Sequence, residues 1–374
     1  MTKCRKCLVP ENVPGAKLDS NGVCAFCRAQ PSNDRHADEE ARLARERDLE
    51  MALTSCRGQS EYDAVVCLSG GKDSIYLLHR LKVEYGLKVL AFTTDVNIPD
   101  VAWKNIRRTI KELQVDHLVY RPPDAFYRKL FRYLLQNQEA RGAVYTVSYV
   151  YAPLFEGDAL KVAMEKGIPL VVAGYSPGQP EPERMVYEFS EEMIKRTDWT
   201  PPELRRCGQF DESELARFWN PRQYPAGAKF PRYLAPFHAW KYDQDRIMKE
   251  VVRLGLVSNM RHASPVFSNY PVQWLLMYSD LKHFGYNPYA PEFSTLIREG
   301  KASLPYWRIM GPVVDFMIRS KMLLGRNVTS HLQWLELSAA DLRIARARGA
   351  YDPEVLGISA PPHPDVCRGA GGAL

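Results

Sequence analysis

The sequence predicts an α/β fold with a doubly wound parallel sheet, a small cysteine-rich unit before it and a mainly helical C-terminal region after it. Between Tyr62 and Ala173, short apolar runs alternate with segments of helical periodicity, which is typical of a parallel sheet with helices on both faces. The 374 residues are 45% hydrophobic and 25% charged, which provides a sizeable core and excludes disordered and collagen-like chains. No apolar run reaches the length of about eighteen residues that a transmembrane helix needs.

Four of the eight cysteines lie in the first 27 residues as two C-x2-C pairs, Cys4 with Cys7 and Cys24 with Cys27. Each pair can present two thiolates from one tight turn, and Zn²⁺ takes four such ligands in a tetrahedron. A segment this short cannot build its own core, so a bound metal would supply folding energy. We predict a zinc ribbon over residues 1–30. An iron–sulfur cluster, a redox role and four free thiols are the alternatives.

The N-terminus lacks the apolar stretch of an export signal, which favours a metal site over two disulfides and predicts a cytoplasmic protein. The other cysteines form no pairs by spacing and are interpreted as packing or surface residues: Cys56, Cys67, Cys207 and Cys367.

Residues 31–60 are predicted to form a linker helix, because mixed charges surround a short apolar stripe at helical spacing. Residues 61–180 follow as the α/β domain. Its predicted strands are 64–68, 88–93, 117–120 and 168–173, and its predicted helices are 74–83, 101–113, 126–139 and 152–166.

Beyond this domain the composition changes. Residues 181–236 are too rich in proline for the interior of a sheet and are predicted as an insertion or lid with one or two short helices. Residues 237–358 are predicted as a helical region for substrate binding or dimer formation, and residues 359–374 as a flexible tail.

The segment Ser69-Gly70-Gly71-Lys72-Asp73-Ser74 joins the first predicted strand to its helix. A loop at a helix N-terminus presents unpaired N–H groups and the positive end of the helix dipole. Glycines let the backbone close on an anion, serine hydroxyls can donate to phosphate oxygens, and Lys72 adds a positive charge. Asp73 suits an Mg²⁺ ion or a helix cap. The pattern predicts a phosphate-binding loop, although the spacing of a Walker loop is absent.

With this motif after an opening strand, the sequence resembles the PP-loop ATP pyrophosphatases, the adenine nucleotide alpha hydrolase-like superfamily. The resemblance covers residues 60–175 and implies a sheet of the HUP/PP-loop type that binds ATP and Mg²⁺ and releases AMP and pyrophosphate. It implies catalytic roles for Lys72, Asp73 and Ser74 and nucleotide contacts for the loop. It also places Thr93, Asp95, Gly174 and Tyr175 beside the nucleotide.

Within that superfamily, the cysteine pairs and the intervening Pro10, Pro14-Gly15 and Gly22-Val23 resemble the start of the N-acetyl sugar amidotransferases. That resemblance implies conversion of an acetamido group on a nucleotide-linked sugar to an acetamidino group. ATP would adenylate the amide oxygen, and ammonia from a separate glutaminase would displace AMP. The acceptor is expected to be a small molecule, either such a sugar or a natural-product intermediate.

Sulfur transfer through the same adenylate is the chief alternative, with a small metabolite or a tRNA base as acceptor and a sulfur-donor protein as partner. Between Val144 and Val366 the sequence has only Cys207, and no cysteine pair to carry sulfur. The net charge of +6 is too mild to indicate a tRNA-binding surface. A nucleotide-binding regulator without catalysis is a minor alternative, and a homodimer is compatible with the helical region.

For the ammonia reaction, Asp95 and His262 are weak candidates for a general base. Two polar and aromatic stretches, residues 261–269 and 283–287, have spacings that suit a pocket wall, although a packing surface with satisfied histidines is the better interpretation of any single residue.

Overall fold

The computed structural model describes residues 2–29, 35–177, 186–268 and 270–352. The strands in these ranges are β1 (Ala64–Cys67), β2 (Val89–Thr94), β3 (Asp116–Tyr120), β4 (Gln138–Glu139), β5 (Leu170–Val172), β6 (Arg232–Leu234) and β7 (Ile344–Arg346). The helices of the first half are α1 (Ala25–Arg28), α2 (Arg35–Ser55), α3 (Lys72–His79), α4 (Asp100–Leu113), α5 (Asp124–Gln136) and α6 (Ala143–Lys166). Those of the second half are α7 (Glu191–Arg196), α8 (Pro202–Arg206), α9 (Glu212–Leu215), α10 (Gln244–Arg253), α11 (Met260–Ala263), α12 (Pro265–Ser268), α13 (Val272–Phe284), α14 (Ala290–Arg298), α15 (Leu304–Ser320) and α16 (Arg326–Trp334).

The main sheet has the strand order β3-β2-β1-β5-β6, and every neighbouring pair is parallel. Val66 of β1 pairs in register with Ala91 on one side and Val172 on the other. The chain therefore winds outward in both directions from β1, as a doubly wound sheet does.

Helices cover both faces of this sheet because its strands alternate two apolar sets of side chains. Val66 belongs to the core that includes residues of α3, α4 and α10, whereas Val65 belongs to the core that includes residues of α6. Leu49 and Leu53 of α2 join the first of these cores.

The Pro-rich segment supplies a strand that the sequence did not predict. β6 lies inside residues 181–236 and forms the edge of the sheet beside β5. Pro231 precedes β6 and Pro236 follows it, which keeps the strand short because proline cannot donate a hydrogen bond to a neighbouring strand. The sheet thus extends beyond the predicted boundary at residue 180.

Helix α6 begins nine residues earlier than predicted. It runs from Ala143 to Lys166 with Pro153 in its interior, where the sequence indicates a start near residue 152. Proline removes one hydrogen bond to the preceding turn, but α6 is buried along most of its length, and tertiary packing compensates for that loss. The predicted helix over 126–139 likewise ends at Gln136, and Gln138–Glu139 forms β4 beside β7.

The C-terminal region is mainly helical, as predicted. Helix α13 packs against α6, α15 and α16, and a second large apolar core fills the space between them. Among the described residues, no helix combines the length and apolar character needed to cross a lipid bilayer. The predicted flexible tail, 359–374, and Cys367 lie outside the described residues.

Candidate active site

The carboxyl ends of β1, β2 and β5 border a cavity of about 420 Å³. β1 and β5 are neighbours, but the chain continues from them toward opposite edges of the sheet. The loops that follow the two strands therefore diverge and leave a crevice between them, as at the switch point of other doubly wound sheets. Ser69, Gly71 and the first three residues of α3 line this crevice.

The loop after β1 is held in shape by its two serines. The Ser69 amide donates to the Ser74 hydroxyl over 3.2 Å, and that hydroxyl donates to the Gly71 carbonyl over 3.0 Å. Gly71 is the N-cap of α3 and makes no side-chain cap. The N–H groups of the first turn of α3 therefore have no partner within the helix and can bind an anion.

Two glycines fit close backbone contacts around the loop. Gly70 has a φ of +80°, and a Cβ at this position would lie 2.5 Å from the Ala102 carbonyl oxygen of α4. A Cβ at Gly174, in the loop after β5, would lie 2.9 Å from the Ser74 backbone nitrogen. Only glycine lets these three segments meet at the start of α3.

Lys72 and Asp73 form an ion pair at the floor of the cavity, with 2.5 Å between Lys72 Nζ and Asp73 Oδ2. Lys72 is buried and also donates to the Tyr242 hydroxyl over 3.2 Å, while that hydroxyl donates to Asp73 Oδ1 over 3.2 Å. Burial disfavours the ammonium, yet the charge of Asp73 and the contact with Tyr242 raise the pKa of Lys72 above its usual value. Lys72 therefore carries its positive charge at neutral pH.

Thr93 lines the cavity at the end of β2, and its hydroxyl donates to the Leu68 carbonyl over 2.6 Å. The hydroxyl hydrogen is thereby used, so His117 Nε2, at 2.8 Å from Thr93 Oγ1, is the donor of that contact. Burial lowers the pKa of His117, which keeps the ring neutral. Asp95 behaves differently, because it pairs with Arg121 and does not line the cavity.

Gly174 and Tyr175, which the family resemblance places beside a nucleotide, line the same cavity. The Tyr175 hydroxyl donates to Glu156 of α6 over 2.6 Å, so the tyrosine is fixed. Cys67 also lines the cavity, and its Sγ lies 3.6 Å from the Tyr233 hydroxyl. Burial raises the pKa of Cys67 to about 12, so the thiol stays protonated.

The four N-terminal cysteines converge, and their Sγ atoms all lie within 4.8 Å of one another. Cys4 and Cys27 are 3.9 Å apart and Cys7 and Cys24 are 3.5 Å apart between sulfurs, far longer than a disulfide bond of about 2.0 Å. One ion with thiolate bonds of about 2.3 Å would space four sulfurs by about 3.8 Å. The group therefore fits a tetrahedral metal ion.

The protonation of these thiols also fits a metal. Against the cost of burial, backbone N–H groups lower the pKa of Cys4 to about 6. Burial and the neighbouring thiols raise the pKa of Cys24 to about 11. A bound cation would release the protons that this crowding retains. Arg298 Nη1 lies 3.5 Å from Cys7 Sγ and would offset the negative charge of four thiolates.

The cysteine ribbon, residues 2–29, packs against the helical region. Asn12 donates to the Phe284 carbonyl over 2.8 Å, and Lys3 lies 3.5 Å from Asp315 of α15. Lys3 and Leu8 line the same cavity as the phosphate-binding loop. The ribbon is thus a wall of the site and not a separate unit.

Several sequence candidates lie elsewhere. His262 contacts Ser258 and does not line the cavity, although its neighbours Ala263, Pro265, Val266 and Ser268 do. His283 faces the Ser279 carbonyl of its own helix, whereas Asn287 lines the cavity. Cys207 packs against the helical core and bonds to the Leu204 carbonyl, away from the cavity.

Two contributors to the loop were missed by sequence reasoning. Tyr242 follows the loop by 170 residues in the chain, and no local pattern indicates its role. Asn105 is buried in α4 and donates from one amide nitrogen to the Gly70 and His262 carbonyls over 3.1 and 3.0 Å. A polar residue in the buried stripe of α4, beside Ala102, Ile106 and Thr109, was a signal that could have identified Asn105.

Comparison with known proteins adds short or distant likenesses. No family model matches the chain. A "Probable sulfurtransferase" of Methanocaldococcus jannaschii is 42% identical over 66 residues, which is 15% of this chain and 20% of the relative. The match therefore spans about a fifth of that relative's length.

Three solved structures align over most of the chain at low similarity. They are the U34-tRNA thiolase NcsA of Methanococcus maripaludis with its 4Fe–4S cluster (TM-score 0.35, 14% identity, 90% of this chain and 89% of that chain), the NMN synthetase of Francisella tularensis (0.33, 12%, 82% and 97%) and the NH3-dependent NAD synthetase of Campylobacter jejuni (0.32, 13%, 77% and 94%).

The strand order, the loop at the start of α3 and the cysteine positions define the architecture directly. The chain has an α/β fold with a parallel sheet, an N-terminal four-cysteine group that could bind a metal, and a helical C-terminal region.

Proposed function

We propose that this protein is an AMP-forming enzyme of the PP-loop ATP pyrophosphatase type that activates a carbonyl or amide oxygen of a small acceptor and then transfers ammonia to the activated carbon. The observation that supports this most directly is the continuity of the cavity. It joins the phosphate-binding loop at Ser69–Ser74 to a chamber between α13, α14 and α15. ATP and a second reactant could therefore meet within one enclosure.

At the nucleotide end, the first-turn N–H groups of α3 and the Lys72 ammonium would bind phosphate oxygens. Asp73 stands beside Lys72 and offers a carboxylate for Mg²⁺, the usual companion of ATP phosphates. Thr93, Gly174 and Tyr175 border the same space and would flank the adenosine. Catalysis here would consist of positioning and charge stabilisation.

The proposed reaction has two steps. The acceptor oxygen attacks the α-phosphorus of ATP, and the bond to pyrophosphate breaks, which leaves an O-adenylate. Ammonia then attacks the adenylated carbon, the carbon–oxygen bond breaks, AMP leaves with that electron pair, and the added nitrogen loses a proton. An amide, ATP and ammonia thus give an amidine, AMP and pyrophosphate. The oxygen of the amide ends on the phosphate of AMP. A glutaminase partner would supply the ammonia, and zinc in the cysteine ribbon would be structural.

Sulfur transfer is the second candidate, and the sulfurtransferase name of the matched Methanocaldococcus jannaschii relative favours it. The cysteines within the described residues do not. Cys207 lies away from the cavity, and the raised pKa of Cys67 makes its thiol a poor nucleophile. A sulfur reaction would therefore need an external donor that delivers sulfur to the adenylate.

The deciding experiment incubates the protein with MgATP and candidate acceptors, with either ammonium or sulfide, and measures AMP, ADP and the modified acceptor by chromatography and mass spectrometry. We expect AMP and an ammonium-dependent product, with Cys207→Ser close to wild type. Sulfide-dependent product with none from ammonium would favour thiolation. ADP as the nucleotide product would contradict the pyrophosphatase chemistry, and binding of ATP without turnover would favour a regulator.

A further inference from the structure

The cavity beyond the phosphate-binding loop has a wall of a different character. This part, here called the acceptor chamber, lies between α6, α13, α14 and α15, and most of its lining is aromatic or aliphatic. Phe293 and Trp307 stack with 3.6 Å between ring centroids, and Tyr151 meets Phe155 edge-on at 5.5 Å. Trp274 and Met277 of α13 complete this apolar side.

Charged groups in the acceptor chamber are few and mostly negative. Among the described residues that line it, they are Lys3, Glu292 and Asp315. Lys3 lies 3.5 Å from Asp315 Oδ2, and Asn287 donates to Asp315 Oδ1 over 3.2 Å. The single cation is thus already paired with a carboxylate.

This charge arrangement discriminates between acceptor classes. A nucleotide-linked sugar carries a diphosphate, whose negative charges need arginine, lysine or clustered N–H donors when they are removed from water. The acceptor chamber would place that diphosphate against two carboxylates and one paired lysine. An uncharged aromatic body would instead exchange water for ring contacts.

Polar contacts for a neutral ligand are present. The Tyr289 hydroxyl donates to Gln273 Oε1 over 3.0 Å and so orients the Gln273 side chain at the chamber wall. The NH2 group of the same amide is a hydrogen-bond donor. A few fixed polar groups in an apolar wall are what a small-molecule site uses to orient its ligand.

We propose that the acceptor chamber binds a phosphate-free small molecule with an aromatic or extended apolar body, whose carbonyl end faces the phosphate-binding loop. Its role as the acceptor of adenylation rests on the proposed function, but its binding does not. The expected acceptor is then an amide or acid of natural-product type and not a nucleotide-linked sugar.

Gly311, which precedes Pro312 in α15, offers a way to fill the chamber. It lies in α15 and lines the cavity, and a Cβ at this position would meet nothing within 4 Å. Gly311→Phe should therefore project a ring into the chamber. Gly311→Ala is a matched control because both variants place a Cβ before Pro312 and only one of them adds a ring.

The test titrates two probes into wild type and both variants by calorimetry: N-(2-naphthylmethyl)acetamide, a neutral aromatic amide, and UDP-N-acetylglucosamine, a nucleotide-linked sugar. We expect the naphthyl amide to bind, Gly311→Phe to weaken it at least about fivefold, and Gly311→Ala to stay within about twofold. The proposal would be overturned if the UDP sugar bound more tightly than the naphthyl amide and Gly311→Phe abolished that binding. Naphthyl binding that Gly311→Phe leaves unchanged would also overturn it, as would the absence of any naphthyl binding.

ATP chemistry is read separately on the same proteins. Affinity for MgATP should be unchanged by Gly311→Phe, because the phosphate-binding loop lies at the other end of the cavity. If the naphthyl amide binds as expected but no acceptor yields AMP, the proposed function fails while the chamber's ligand class stands. If AMP forms only with the UDP sugar, the ligand class fails while the adenylation stands.

Discussion

At the phosphate-binding loop, a positive charge is held ready by a neighbour far away in the chain. Lys72 is buried and contacts both Asp73 and Tyr242. In the proposed reaction, this lysine would exchange these partners for phosphate oxygens of ATP.

We expect Lys72→Ala to lower kcat/KM for ATP at least about tenfold, equivalent to roughly 1.4 kcal/mol of transition-state stabilisation. Asp73→Ala should abolish turnover because the carboxylate proposed to hold Mg²⁺ would be lost. Steady-state AMP formation measures both. Lys104→Ala, which removes an exposed lysine of α4, is the control, and full activity in the Lys72 and Asp73 variants would exclude these residues from the mechanism.

Tyr242→Phe should act through Lys72 and Asp73 without breaking the fold, since only one hydroxyl is removed. The hydroxyl bridges the two charged groups, and a hydrogen bond to a charged group contributes about 1.5–3 kcal/mol. We expect a several-fold higher KM for ATP, a smaller change in kcat and an unchanged melting temperature. Equal kinetics for the variant and wild type would show that Tyr242 has no positioning role.

At this scale the sequence predicted the local chemistry and not the distant partners. The residue types and their order in Ser69–Ser74 indicate an anion-binding loop, because a strand–loop–helix turn imposes its own geometry. Tyr242 and His117 reach the site through tertiary packing, which leaves no local pattern in the sequence. Asp95 was assigned to the nucleotide by family resemblance, and here it pairs with Arg121.

Among the elements, α4 and the phosphate-binding loop are in such close contact that an added side chain at Gly70 has no space. Gly70 combines a left-handed φ with a backbone oxygen 2.5 Å from any added Cβ, whereas Gly86 has a similar φ of +64° and open space around it. A substitution at Gly86 therefore tests backbone strain alone, whereas one at Gly70 tests backbone strain together with a steric clash.

We expect Gly86→Ala to cost about 1–2 kcal/mol of unfolding free energy, the usual penalty of a left-handed residue. Gly70→Ala should cost more and should also reduce ATP affinity, because α4 must move. Chemical denaturation and nucleotide titration measure the two effects. Equal losses in the two variants would mean that the Ala102 contact is not tight.

A carboxylate in α6, that of Asp158, should make the stability of the fold depend on pH. Burial raises the pKa of Asp158 to about 7, although Thr94 donates to it over 3.2 Å. The folded pKa lies above the unfolded value of about 3.9, so the stability contribution is present below pH 4 and is lost as pH rises through 7.

We expect Asp158→Asn to reduce the fall in unfolding free energy between pH 4 and pH 8, by about 1–3 kcal/mol relative to wild type. Glu165→Gln removes an exposed carboxylate of the same helix and should leave the slope unchanged. Urea denaturation at both pH values makes the comparison. An identical slope for Asp158→Asn and wild type would show that Asp158 does not titrate in this range.

Strands and helices with strong patterns were predictable, and the exceptions have physical reasons. Apolar runs identified β1, β2 and β5 because these strands are buried in the parallel sheet. β3 was also identified by its short apolar run, although it lies exposed at the edge of the sheet. β6 spans three residues between prolines, too few to form a pattern. The start of α6 was missed because Pro153 usually marks the first turn of a helix, and packing overrides that preference here.

Across the whole molecule, the cysteine ribbon and the acceptor chamber depend on each other. Leu8 and Lys3 line the chamber, and Asn12 and Arg298 connect the ribbon to the helical region. The cysteine spacing predicted the four-cysteine group, but this docking depends on helix packing that no spacing reveals.

Purified protein should contain about one zinc per chain, and Cys24→Ser should lose it while Cys56→Ser keeps it. Cys56 is buried in the main core, so it controls for loss of a thiol. Elemental analysis measures the metal content of each protein. In Cys24→Ser, amide hydrogen exchange should be faster than in wild type in residues 2–29 and in α14 and α15. A colourless, metal-free native protein would contradict the site, and a brown one would indicate a cluster.

The docking of the ribbon also orders events during synthesis. Residues 2–29 leave the ribosome before α14 and α15, their binding surface, which begins about 260 residues after the ribbon ends. The docking face of the ribbon is therefore covered only when the helical region has been made and folds. Assembly of the acceptor chamber then follows synthesis of the helical region, and a nascent chain could form the loop after β1 well before the chamber is complete.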